Sequence, residues 1–269
     1  MGTPGLDVRI VGAGRDLVLL HSLLSDRTSF DPLAARIAGE RRLILVNLPG
    51  FGGSPPAGPA LSDYADAVAV MFDDLALPPE TDVLGNGLGG FVALSLASRH
   101  GTRFARLVLV GSAIAFPDAG RATFRALADK VEQSGMAAVV DAAMRRMFPE
   151  PFIAAHRNVV AGREAVFKGI DPDVFASACR ALAALDPSDE LAKVRNPTLI
   201  VVGAQDQATP PALGRALAAR LANSQLIEMP GLGHCPHIQD PDAFLAATGP
   251  FLGLRAKRTE TRSSSSSQR

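Results

Sequence analysis

Short, almost wholly apolar runs alternate along this chain with stretches in which apolar residues recur every three or four positions. Val8–Val11, Leu17–His21, Leu43–Asn47, Asp82–Gly85 and Leu107–Gly111 are of the first kind. Phe30–Ala38, Ser62–Leu77 and Leu88–His100 are of the second; in Ser62–Leu77, Tyr64, Val68, Phe72 and Leu75 share one helical face. Strands that are apolar along nearly their whole length are covered on both faces. The pattern therefore predicts an α/β protein with a parallel sheet between two layers of helices. The rhythm stops near residue 116. Residues 117–190 are rich in Ala, Arg, Phe and Met and carry no strand pattern. Within them, Phe124, Leu127, Val131 and Met136, then Phe175, Cys179, Leu182 and Leu185, are spaced as in helices. Alternation resumes with strand Pro197–Gly203, helix Pro211–Ala222, strand Gln225–Met229 and helix Pro241–Leu252. The expected organisation is a core from residues 1–116 and 191–254, a helical lid over 117–190 and a disordered tail over 255–269.

Composition narrows the partners. The chain has 269 residues, 47% of them apolar, which suffices for one sizeable core. Its 27 basic and 27 acidic residues cancel, so no nucleic acid or anionic membrane is expected as a partner. No apolar run is long enough to span a bilayer. Cys179 and Cys235 make no disulfide framework, and the first residues do not read as a secretory leader, so a cytoplasmic location is expected. The tail, with its run of serines and its basic residues, has little apolar surface to bury. The expected partner is a small-molecule substrate, with a homodimer left open.

Three candidate sites follow strands, where open parallel sheets gather ligands at their carboxyl ends. The first is V-L-G-N-G-L-G-G-F at 83–91, a strand running through a glycine turn into a helix. The second is Asp206 in G-A-Q-D-Q-A-T-P-P, and the third is His234 in P-G-L-G-H-C-P-H. A fourth element, His21-Ser22-Leu23-Leu24, ends an early strand. The glycine run mimics G-x-G-x-x-G, but it lies several strands into the sheet, so a dinucleotide site is rejected and no cofactor is expected. His234, Cys235 and His237 lack a second ligand group, so no metal is expected. Cys235 adjoins His234, but adjacent side chains diverge, which argues against a catalytic thiol.

N-L-P-G-F-G-G-S at 47–54, the frame of the glycine turn, G-x-x-D-x-x-x-P and G-x-G-H occur in the order found in α/β-hydrolases. Over residues 6–254 the chain resembles lid-bearing members acting on small substrates, and is similar to 3-oxoadipate enol-lactonases and carbon–carbon bond hydrolases. The resemblance implies an α/β-hydrolase fold in which Asp206 orients His234 and His234 is the base. It implies an oxyanion hole from the backbone N–H groups of Leu88 and Leu23. His21, Ser22, Asn86 and Ser112 are expected around the pocket, His21 holding the oxyanion loop.

Three positions depart from the family. Asn47 stands where many relatives have Asp, and the early motif reads His-Ser instead of His-Gly. The larger departure is Gly87, which stands where G-x-S-x-G carries its serine. An acyl-enzyme at residue 87 is chemically excluded. Two readings remain. In one, glycine relaxes a strained turn by roughly 1–3 kcal/mol and the site is an inactivated serine hydrolase. In the other, the absent side chain leaves room for a water or a substrate atom, on which His234 acts directly. The reaction is then hydrolysis of a small, largely apolar ester, enol-lactone or carbonyl compound, or lyase, isomerase or cyclase chemistry. A lidded ligand-binding protein is the third class. Ser22 is read as a polar loop residue replacing a glycine in preference to a nucleophile, because a nucleophile needs its base within hydrogen-bond distance.

Overall fold

The computed structural model describes residues 5–186 and 190–255. Most of the 255–269 tail and residues 187–189 of the 117–190 segment lie outside the described residues. Among the described residues, seven strands form one sheet in the order β1 (Val8–Val11), β3 (Arg41–Val46), β2 (Arg15–Leu20), β4 (Asp82–Asn86), β5 (Arg106–Val110), β6 (Thr198–Gly203) and β7 (Ser224–Met229). All pairings are parallel except β1 with β3, which is antiparallel at the edge. This is the mostly parallel sheet that the resemblance to α/β-hydrolases implied.

The period-two geometry of the strands divides the core. Val18 and Leu20 of β2, with Ile44 and Val46 of β3, point to one face, where α2 (Leu61–Asp74) and α3 (Leu88–His100) pack. Leu17, Leu19, Leu43 and Leu45 point to the other, against Phe30, Leu33 and Ile37 at α1 (Asp31–Ile37) and Phe244 of α11 (Pro241–Leu252). The register Leu17↔Leu43, Val18↔Ile44 aligns the two alternations, so each apolar run feeds both layers. The helical face read from Tyr64, Val68 and Phe72 is buried, and α2 lies against α3.

Between β5 and β6 the chain forms α4 (Asp118–Ser134), α5 (Val140–Met147), α6 (Glu150–Ala155), α7 (Arg157–Lys168) and α8 (Pro172–Ala184). Helices α4 and α8 pair along their lengths, burying Phe124, Ala128 and Val131 against Phe175, Cys179 and Leu182. The remaining helices are α9 (Pro211–Arg220) and the short α10 (Pro236–Gln239). The latter was not apparent in the pattern, because four residues cannot display a helical period. The helix expected over Phe30–Ala38 begins at Asp31, after a 3-10 turn over Arg27–Phe30 whose start is capped by the Asp26 carboxylate accepting from Thr28 N–H.

Every candidate residue follows the carboxyl end of a strand or ends one: His21 after β2, Asn47 after β3, Asn86 and Gly87 at β4, Ser112 beyond β5, Asp206 beyond β6 and His234 beyond β7. The other end of the sheet carries a different polar cluster. Arg41, Asp82 and Arg15 are the first residues of β3, β4 and β2. The Arg41 guanidinium meets Asp82 Oδ2 at 2.7 Å, both side chains almost fully buried, and also donates to the carbonyls of Arg15, Asp16 and Leu252.

Candidate active site

The turn from β4 into α3 places Gly87 at φ 52°, ψ −118°. This left-handed conformation is costly for residues with a Cβ and free for glycine. The next turn packs against the end of β2: Gly89 N–H donates to the His21 carbonyl at 2.9 Å, and a Cβ on Gly89 would lie 2.1 Å from the Leu20 carbonyl oxygen. Close approach between helix and strand is thus what demands glycine there. Leu88 begins α3, so its N–H is one of the unpaired donors of a helix start. Among the described residues, no backbone carbonyl accepts from Leu88 N–H or Leu23 N–H.

Asp206 is held in a turn in which its Oδ1 accepts from the N–H groups of Ala208 and Thr209, both at 2.8 Å. Its Oδ2 faces His234 Nδ1 at 2.9 Å. Both side chains are at most 5% exposed. An ionised carboxylate accepts, so this contact sets Nδ1 as the protonated nitrogen and leaves Nε2 with a free lone pair. Nε2 lies 3.4 Å from Ser22 Oγ. A Cβ built on Gly87 would lie 2.6 Å from Ser22 Oγ and 2.7 Å from His234 Nε2. The sequence predicts room here for a water or a substrate atom; instead, the volume that an elbow side chain needs is not open. The Ser22 hydroxyl and the His234 ring edge occupy it.

His21 is fully buried beneath this loop. Its Nε2 accepts from Leu48 N–H at 3.0 Å, and Nδ1–H donates to the Ser22 carbonyl at 2.9 Å. Burial holds its pKa down to about 4, so it stays neutral and keeps this tautomer. The Ser22 carbonyl also accepts from Ser25 N–H at 3.1 Å, so the serine's backbone is fixed from two sides.

Three residues expected at the pocket lie behind it. A cavity of ≈ 30 Å³ opens onto Ser22, Leu23, Gly87, Leu88 and His234, and its wall includes none of His21, Asn86 and Ser112. His21 is turned down onto Leu48 by its hydrogen bonds. Asn86 ties β4 to the histidine loop: its amide donates to the His234 carbonyl at 2.9 Å, and its Oδ1 faces Cys235 Sγ at 3.5 Å. Ser112 is fully buried, and a Cβ on Gly90 would lie only 2.0 Å from its Oγ, so it packs against α3. Burial pushes the Cys235 thiol above its ordinary pKa, which makes it unreactive. Asn47 accepts from Arg27 N–H and donates to Asp7 Oδ2 at 2.7 Å, a bond for which an aspartate has no proton. Among the described residues, no group of three or more metal-ligating side chains comes together.

The far wall of the cavity comes from the 117–190 segment and from Phe91 and Phe116: Phe124 and Leu127 of α4, Arg146 of α5 and Leu182 of α8. Arg146 escaped the sequence reading, since nothing in its spacing distinguishes it from surface arginines. It is half-buried, its guanidinium lies over the Phe124 ring at 5.5 Å, and burial lowers its pKa. A cation at this point favours substrates that bring negative charge or an acceptor oxygen. A larger groove of ≈ 1030 Å³ between α2, α3 and α8 shares Phe91 with the cavity.

Comparison with known proteins bears on the family and the fold. The family model described as alpha/beta hydrolase family matches residues 17–247. The pimeloyl-[acyl-carrier protein] methyl ester esterase of Neisseria meningitidis serogroup A is 30% identical over 256 residues, covering 89% of this chain and 77% of that protein. Its counterpart in Aromatoleum aromaticum is 30% identical over 239 residues, 84% of this chain and 94% of that one. Among solved structures, the enol-lactonase from Burkholderia xenovorans LB400 superposes with a TM-score of 0.86 at 28% identity, over 92% of this chain and 96% of its own. A thermophilic esterase from Thermogutta terrifontis gives 0.85 at 26% identity, over 92% and 93%. The family model over most of the chain, the relatives at 30% identity and the shared fold lead to one conclusion: the chain belongs to the alpha/beta hydrolase family.

Proposed function

We propose that the protein hydrolyses a small, largely apolar ester or enol-lactone, with Asp206 and His234 as a general-base pair and no nucleophile at the elbow. The observation that carries this is the orientation of His234. Its Nδ1 is committed to Asp206, which leaves Nε2 for other work, and His234 lines the small cavity together with Leu23 and Leu88. A base and two uncommitted donors around one small space are what acyl transfer requires. The names of the relatives, methyl ester esterases and an enol-lactonase, favour acyl esters over other chemistry.

A cavity of ≈ 30 Å³ holds about two water molecules and no ester. In this reading the 117–190 helices act as a lid, and substrate enters when the wall built from Phe124, Leu127, Arg146 and Leu182 moves away. The large groove across Phe91 is the natural place for a longer acyl chain or carrier arm.

The test is turnover of short-chain p-nitrophenyl esters, methyl esters of dicarboxylic acids and enol-lactones by the parent and by His234→Ala. Turnover that falls at least a hundredfold in His234→Ala supports the reading. A second reading, an inactivated serine hydrolase, rests on the absent hydroxyl at Gly87. An inert parent with a strongly active Gly87→Ser variant would establish it.

A further inference from the structure

We propose that Ser22 is the nucleophile, so that the reactive hydroxyl of this hydrolase sits on the loop after β2 and not on the β4–α3 turn. The inference rests on the reading of the site as an acyl hydrolase and supplies the attacking group which that reading leaves unnamed.

Four observations converge on this side chain. Ser22 Oγ is 3.4 Å from His234 Nε2, and among the described residues no other side-chain partner of that hydroxyl is recorded. A structural hydroxyl in a buried loop normally bonds a nearby backbone group. This one meets instead the catalytic edge of a histidine 212 positions away in sequence. The contact is long for a ground-state hydrogen bond, as in many unliganded sites, where such bonds tighten when substrate binds.

The backbone of Ser22 is built for precision. Its carbonyl is gripped by His21 Nδ1–H and Ser25 N–H, and the His21 ring is itself fixed by Leu48 N–H. A held backbone keeps Oγ in near-attack geometry. Gly87 then becomes a requirement of the site. Any Cβ there would lie 2.6 Å from Ser22 Oγ and 2.7 Å from His234 Nε2 and drive the pair apart. The glycine and the serine are one arrangement: removing the side chain at 87 is what lets a hydroxyl from the neighbouring loop reach the base.

The oxyanion donors keep their usual relation to the nucleophile. Leu23 N–H belongs to the residue after Ser22, and Leu88, at the start of α3, lines the same cavity. Ser22, Leu23 and Leu88 all line that cavity, so a carbonyl carbon at Oγ has both donors at hand.

The chemistry balances without any further reactant than water. Ser22 Oγ attacks the ester carbonyl carbon as its proton passes to His234 Nε2, and the carbonyl electron pair moves to the oxygen held by the two N–H groups. Asp206 offsets the imidazolium charge. Collapse breaks the bond to the alcohol, which leaves with the proton from Nε2, giving acyl-Ser22. Water then loses a proton to Nε2 and attacks the acyl carbon. The acid departs and Oγ recovers its proton.

Covalent labelling tests the proposal whether or not the natural ester is known. Phenylmethylsulfonyl fluoride and an activated p-nitrophenyl alkylphosphonate are incubated with the full chain, and peptides are mapped by mass spectrometry. The expected result is one adduct per chain on Ser22. It should be absent from Ser22→Ala and His234→Ala, and strongly slowed in Gly87→Ala, which keeps the hydroxyl but crowds it. Thermal melts of each variant confirm folding. No adduct on the parent, an adduct elsewhere, or labelling that survives Ser22→Ala overturns the proposal. With a turned-over ester, Ser22→Ala should lose on the order of a thousandfold in kcat. If Ser22→Ala keeps turnover within tenfold while His234→Ala loses it, the nucleophile assignment fails and the general-base reading stands. Turnover that survives both substitutions overturns both.

Discussion

The two ends of the sheet each bury an acid against a nitrogen base, yet they are built to opposite rules. At the amino end, Arg41 spends its donors on Asp82 and on three carbonyls, and Arg15 covers the second oxygen of Asp82. Both carboxylate oxygens of Asp82 are taken up by guanidinium groups, and the cluster opens on no cavity described above. At the carboxyl end, Asp206 is just as fully committed, to two backbone N–H groups and Nδ1, but the histidine it holds keeps one nitrogen facing a cavity. A saturated cluster holds strands in register. A cluster with one lone pair withheld from saturation can do chemistry. The difference lies in the last hydrogen bond and not in the burial.

Substitutions should separate the two ends. The largest effect is expected from Asp206→Asn, which loses the charge that orients and supports His234. Turnover should fall by about three orders of magnitude or more, with the melting temperature little changed; steady-state kinetics beside a thermal melt measures both. At the other end, Asp82→Ala leaves Arg41 buried and uncompensated and should cost about 3–5 kcal/mol in urea unfolding. In whatever fraction remains folded, kcat should be unaltered. A catalytic loss in folded Asp82→Ala would break the division of labour between the two ends.

Acid should expose a third class of buried base, histidines kept neutral by the core. His237 is fully buried between Phe30 and Phe244, with no hydrogen bond to either ring nitrogen among the described residues, and burial lowers its pKa to about 3. His21 is lowered to about 4 by the same cause. Both take up protons in the unfolded chain near pH 6.5 and resist them when folded. Stability is therefore full above pH 6.5 and declines as the pH falls toward 4 and then 3. Denaturant titrations at pH 7.5 and 5 should show the loss, and His237→Phe should flatten it. A slope unchanged by His237→Phe would show that this ring is not the source.

Gly87→Ser is expected to cost about 1–3 kcal/mol from left-handed strain, and to push Ser22 and His234 apart. The smallest effect compares the two arginines. Arg146 has an aromatic ring where Arg41 has four hydrogen bonds. Arg146→Met should change stability by less than about 1 kcal/mol, whereas Arg41→Met should approach the cost of Asp82→Ala. Paired unfolding curves decide it.

Much of this was legible in the chain. Strands such as Leu17–Leu20 and Leu43–Val46 are apolar at every position, so their burial on both faces follows from composition alone. Asp206 and His234 sit in short motifs after strands, and the topology brings such loops to one edge. What stayed hidden depends on distances between remote segments. Nothing in H-S-L-L says that Ser22 meets a histidine beyond β7, because that meeting depends on an atom missing from residue 87. The roles of Asn86 as a tie and Arg146 as a wall are equally non-local. So is the Arg41–Asp82 pair, whose members look like ordinary strand-end charges when read singly.

One backbone contact links the helical segment to the base. His234 N–H donates to the carbonyl of Met147, the last residue of α5, at 3.1 Å. The residue just before Met147 is Arg146, part of the wall that withdraws in the proposed lid opening. Outward travel of that end of α5 must either break the bond or drag the imidazole with it. In the proposed lid opening, admission and the seating of the base are thereby coupled through one hydrogen bond, which closure over a substrate restores.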